Sequence, residues 1–209
     1  MKRLLLISAI TFVIGCNKPG KKYFTGTIEY TYTYSSDSLN ADSLAKTRPS
    51  KGFLRYDTVN YQSKFIGTDT IVYYYSGRFN KCLSETDHLG NYACEDYGVF
   101  TDSVLSYRLI DTDEKILGYS CTILEIQKKN SWLRYYVSNE LKIAPATYRK
   151  HISYNWDLYG DKAGGGLILR SEHRFKYFTM KGIATAIGAR SAGFKALEID
   201  EKLFSQFCK

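Results

Sequence analysis

Residues 24–34 constrain the fold more than any other stretch: Phe24, Ile28, Tyr30, Tyr32 and Tyr34 alternate with Thr25, Thr27, Glu29, Thr31 and Thr33. Side chains of an extended chain point to opposite faces with a period of two, so this pattern gives a strand with one aromatic face and one wet face. Further strand patterns fall at 52–61, 70–76, 79–84, 91–96, 105–111, 116–127, 132–138, 167–179 and 183–187. Turn-forming residues separate them at 76–77, 87–90, 111–115, 128–131 and 188–193.

Helical patterns are few. Asp37 and Ser38 can cap a short helix over 37–46, with Leu39, Leu44 and Ala45 as its apolar stripe. Tyr148, Ile152, Trp156 and Tyr159 recur at helical spacing after Pro145 and before Gly160. Many antiparallel strands with so little helix predict a mainly β fold: a single strongly curved antiparallel sheet, a half-barrel, with one to three short helices on its concave side. Alternation then turns Tyr30, Tyr32, Phe175 and Tyr177 toward the concave side, and Trp156 lies on the helix that covers it. The chain has 19 Tyr and 11 Phe. A buried phenol needs a hydrogen-bond partner, so this many tyrosines suit an amphipathic cavity better than a dry aliphatic core.

The first residues bear on location. Lys2 and Arg3 precede an apolar run over 4–14, too short to span a bilayer, and Gly15 then precedes Cys16. The sequence Val13-Ile14-Gly15-Cys16 resembles the lipobox of bacterial lipoproteins, which implies a signal peptide over 1–15, an acylated cysteine and tether over 16–22, and one β-rich domain over 23–209. No acidic residue lies among 17–22, which in similar families goes with an outer-membrane anchor facing the periplasm. Losing Lys2 and Arg3 takes the 29 basic residues to 27 against 21 acids, a formal charge of +6 that suits anionic lipid or an acidic partner. Nucleic acid is excluded as a partner because the bases are scattered and the compartment is extracytoplasmic.

Four cysteines besides Cys16 suggest disulfides in an oxidising compartment. A hairpin centred on Asp87 and His88 would set Cys82 opposite Cys94, leaving Cys121 for Cys208. His88, His151 and His173 show no metal-ligand spacing, so neither metal nor another cofactor is expected. Asp111, Asp113 and Glu114 cannot start an EF-hand loop, whose sixth position is Ile116 here, and they read as a hairpin turn. Gly164 to Gly166 open an apolar strand rather than the Gly-Lys-Ser/Thr of a phosphate loop. His173 and Cys121 have no partner in the sequence that would make either a catalytic group, so no enzyme is expected.

Three segments carry a family likeness: Lys115-Ile116-Leu117-Gly118-Tyr119-Ser120-Cys121, the run Gly164-Gly165-Gly166-Leu167-Ile168-Leu169, and the close from Leu197-Glu198-Ile199-Asp200 through Leu203-Phe204. They resemble the central strand, the name motif without its proline, and the terminal strand of GLPGLI-type envelope lipoproteins, which are similar in architecture to the LolA/LolB lipoprotein carriers. The resemblance implies a half-barrel around a hydrophobic cleft and no established catalytic residues. The expected function is therefore non-catalytic: a lipid-anchored envelope protein that binds a lipid or acyl chain, or alternatively an envelope assembly component that engages a protein partner through its loops. Replacing Cys16 by Ala should leave the precursor uncleaved or the product unanchored, since firm attachment requires more than one acyl chain. Salt- and carbonate-resistant membrane recovery of that variant would rule out the lipoprotein assignment.

Overall fold

The computed structural model describes residues 23–87, 90–99, 102–189 and 200–208. Its centre is β1 (Gly26–Ser35). On one side lie, in order, β2 (Lys51–Tyr56), β3 (Asn60–Ile66), β4 (Thr70–Ser76), β5 (Lys81–Thr86) and β6 (Tyr92–Asp96). On the other lie β11 (Thr179–Ala189), β10 (Gly166–Arg174), β9 (Trp132–Lys142), β8 (Tyr119–Lys128) and β7 (Val104–Ile116). Every pairing is antiparallel, giving one 11-stranded sheet.

Laid flat, ten strand spacings of about 4.8 Å would put β6 and β7 about 48 Å apart. The eight steps of chain from Asp96 to Val104 reach at most about 29 Å. The sheet must therefore curl, and its edges approach without pairing. Register defines two ends. Ser35, the 129–131 turn and the 175–178 turn share the upper end, while Gly26, the 57–59 turn and the 117–118 turn share the lower.

Two neighbouring glycines shape β1. The ring of Tyr32 lies flat over Gly52 and Gly182, where an added Cβ would stand 2.7 and 2.6 Å from ring carbons. Side-chain-free positions on both flanking strands thus let an aromatic ring lie along the sheet.

Among the described residues three short α-helices accompany the sheet. In α1 (Ala41–Thr47) the cap is Asn40, which accepts from Ser43 N at 3.0 Å, so the helix begins later than Asp37 and Ser38 suggested. The helical pattern over 148–159 is not one helix. Tyr154 and Asn155 adopt φ of 54° and 59°, which breaks it into two 3-10 turns and α2 (Trp156–Lys162). The chain's close forms α3 (Glu201–Phe207) where a terminal strand was expected, because Asp200 accepts from Lys202 N and Leu203 N as an N-cap. Residues 197–199 lie outside the described residues.

Strand boundaries also moved. The pattern over 52–61 is two strands joined by 57–59, and Asp111 to Lys115 lie within β7 at a register shift rather than in a turn. The actual turn is Leu117-Gly118, both with positive φ, as two-residue hairpins require.

The expected disulfides are replaced by one bond, Cys94–Cys208, with Cα atoms 5.3 Å apart. Cys82 pairs in register with Glu95 while Cys94 pairs with Leu83, so a one-residue offset points the two cysteines to opposite faces. Cys94 faces outward, where α3 packs through Phe204 on Phe79 and Phe207 on Tyr92. Cys82 and Cys121 remain buried thiols. Nonreducing peptide mapping should find Cys94 joined to Cys208, with Cys82 and Cys121 alkylated only after unfolding. Replacing Cys208 by Ser should cost about 2–5 kcal/mol, the usual range for a long native loop.

Candidate functional site

Residues 145–162 fill the lower half of the curl. The imidazole of His151, fully buried, stacks on Trp156 with centroids 4.8 Å apart and planes at 9°, and accepts or donates a 2.8 Å hydrogen bond at Nε2 to the Tyr61 hydroxyl. Trp156 stacks on Tyr61 at 4.8 Å, and Tyr61 on Tyr75 at 4.9 Å. Tyr159 donates to Gly166 O at 2.5 Å, tying the plug to the lower end of β10. Two further phenols reach carbonyls: Tyr30 donates to Ile168 O at 2.5 Å and Tyr135 to Tyr154 O at 3.2 Å.

Above the plug the concave wall is only half-buried. Tyr32 contacts Tyr30 at 6.3 Å and Phe65 at 5.8 Å, and Phe65 meets Tyr73 edge-on at 5.8 Å. Register places Phe65 opposite Gly52 and Tyr73 opposite Ser63, on the same face as Tyr30. Across the curl, Ser171 and His173 share this face with Tyr135 and Leu133. The result is an aromatic floor with a few hydroxyls and one imidazole on its walls, a composition suited to an apolar chain with a small polar group.

Of the residues expected to bind a ligand, Tyr32 belongs to this floor. Tyr30 and Trp156 are buried, their surfaces consumed by the core. Phe175 and Tyr177 leave the wall: β10 ends at Arg174, and both occupy the turn at the upper rim, 37% and 55% exposed. Sequence reading missed Phe65 and Tyr73. The alternation Tyr61, Ser63, Phe65 was the available signal, hidden by running β2 and the start of β3 together.

Burial holds His151 down to about 3, and burial with the nearby Lys128 holds His173 down to about 4, so both are neutral in the folded chain. Burial pushes the Cys82 thiol up to about 12, an inert sulfhydryl rather than a nucleophile. Among the described residues no group of three His, Cys, Asp or Glu is placed to hold a metal ion, and no helix is long and apolar enough to cross a membrane. A second concavity of about 390 Å³ lies outside the lower end, lined by Asn60, Gly77 and Thr147 and crossed by the Arg78–Glu201 ion pair.

No family model and no curated protein matches the chain. Among solved structures, PNGF-II in two crystal forms is similar at 15% and 17% identity, with TM-scores of 0.46 and 0.45. These matches cover 86% of this chain but only 30% and 29% of PNGF-II, so the chain spans under a third of that protein. LprF from Mycobacterium bovis is similar at 6% identity and a TM-score of 0.36, covering 82% of this chain and 89% of LprF.

Between pH 6.5 and about 3 the unfolded chain takes up a proton on His151 that the folded chain refuses, so stability rises with pH across that window and falls on acidification. The slope is at most about 1.4 kcal/mol per pH unit for each such histidine. The slope of urea-unfolding stability between pH 6 and 4.5, to which the carboxylates contribute alike in both chains, should fall by about one histidine's slope in His151→Gln, whatever that variant's stability at pH 7. An unchanged slope would refute a neutral buried His151.

Proposed function

We propose that this protein is a non-catalytic, lipid-anchored envelope protein whose upper concave face holds a lipid or acyl chain. The half-buried floor of Tyr32, Phe65 and Tyr73 above a filled lower half carries the reading. Apolar rings left partly uncovered on a concave wall lower their free energy by burial under a chain, at roughly 25 cal/mol per Å² of apolar surface covered. Ser63, Ser171 and His173 supply the few polar atoms that would orient a head group. Cys16 is the proposed acylation site, with attachment to the outer membrane facing the periplasm and signal-peptide cleavage before it.

The reading is one of binding rather than turnover: the Cys82 thiol is buried opposite Tyr75 on the neighbouring strand, and His151 is sealed in the plug. The test is titration with a fluorescent fatty acid, backed by native mass spectrometry of protein extracted without delipidation. Changing Phe65 and Tyr73 together to Ala leaves Tyr32 on its glycines and should weaken binding about tenfold or more, equivalent to about 1.4 kcal/mol. Unchanged affinity in that pair, or no binding by the unaltered protein, would leave a filled structural domain instead.

A further inference from the structure

The β10–β11 turn sets exposed rings among cations. Phe175 and Tyr177 are exposed there, while Phe175 stacks on Phe178 with centroids 4.8 Å apart. Arg48 lies over Phe178 at 4.8 Å, and the Lys176 ammonium over Tyr177 at 4.9 Å. Arg174 lies over half-buried Trp132 at 5.2 Å. Three other arginines of this sheet are neutralised: Arg108 and Arg134 both bind Glu125, and Arg170 binds Glu114. Among the described residues Arg48, Arg174 and Lys176 have no carboxylate within ion-pair distance, and each instead flanks an aromatic ring.

We propose that this tip, with Arg48 beside it, is a docking surface for an anionic bilayer. Three uncompensated cations match lipid phosphates, the exposed Tyr177 matches the headgroup layer, where a ring with one wet end and one apolar end sits, and the wholly apolar Phe175 beside it matches the acyl boundary below. An acidic protein would satisfy the charges, but it gives no reason for two neighbouring rings to stand in water. Register sets the tip at the upper end of the sheet, the end away from the plug and opposite the end where the described chain begins. A bilayer touched there faces the aromatic floor. This goes beyond ligand binding on that floor, and either can fail without the other, because the test reads the tip alone.

The chain has two tryptophans, Trp132 near the tip and Trp156 buried in the plug, so emission from Trp132 reports on docking. The full chain is mixed with phosphatidylcholine vesicles with brominated acyl chains, with or without phosphatidylglycerol. Anionic vesicles should quench Trp132, neutral ones should not, and added salt should reverse the effect. Arg174→Glu with Lys176→Glu should reduce the quenching by about fivefold or more, as electrostatic attraction to the surface is lost. Phe175→Ser with Tyr177→Ser should also reduce it. Lys115→Glu with Lys150→Glu at the lower end makes the same charge change and should have little effect. Quenching that is absent, that neutral vesicles cause equally, or that both charge-reversal pairs reduce alike would overturn the proposal, as would quenching indifferent to the tip residues.

Discussion

The stack of His151 on Trp156, locked to Tyr61, is the contact on which the rest depends. An eight-stranded barrel can fill its interior with its own side chains, but a curl of eleven strands is wider and would be hollow. The sheet therefore takes in its own chain: residues 145–162 enter the lower half and bring aromatic planes to lie against Tyr56, Tyr61 and Tyr75. Entry takes a bend that the helical pattern does not allow, and the left-handed pair Tyr154 and Asn155 supplies it at about 1–3 kcal/mol per residue. The dense packing around His151 is what sustains those conformations.

Tyrosine serves this core in a way leucine cannot. Its ring fills volume, while its hydroxyl reaches a carbonyl that a broken helix or an irregular strand would leave unpaired, as Tyr159 does at Gly166 and Tyr135 at Tyr154. Many phenols here are therefore structural struts rather than cavity lining. The outer face is secured by charge. Arg108, Glu125, Arg134, Glu172 and Lys181 stand opposite one another on five successive strands, alternating in sign. Burial alone would raise the Glu125 carboxyl, but the hydrogen bonds from Arg108 and Arg134 outweigh it and hold the group below its ordinary value.

Among the described residues the lower half of the curl is filled, and the wall above the plug is only half-buried. The floor there is laid by Tyr32, held flat by Gly52 and Gly182, and extended by Phe65 and Tyr73. The upper end also carries the cationic, aromatic rim, so the half-buried floor and the rim lie at the same end. The opposite end is occupied by the plug and by α3, which Cys94–Cys208 holds against the outer face.

The mainly β class, the curved antiparallel sheet and most strands were legible because alternation is a local property: a strand with one buried face must write its period into the sequence. Tyr32 was legible as a floor residue for the same reason. What failed depended on register and ends. The sequence shows that Cys82 and Cys94 lie on adjoining strands, but a one-residue offset, set by how the whole sheet pairs, decides that they face apart. Asp111 to Lys115 have turn composition, yet the hairpin closes at Leu117-Gly118, where two positive φ angles fit the twist of the strands. Phe175 and Tyr177 continue the alternation of β10 but fall one and three residues past its last pairing, so they stand on the rim instead of the wall. By itself the sequence determined where most strands lie and which face of each is apolar, though not where each ends, because alternation follows from local spacing. Only the tertiary structure decided which apolar face is buried by the plug and which is left open, because that depends on an insertion from 145–162 that no local pattern specifies.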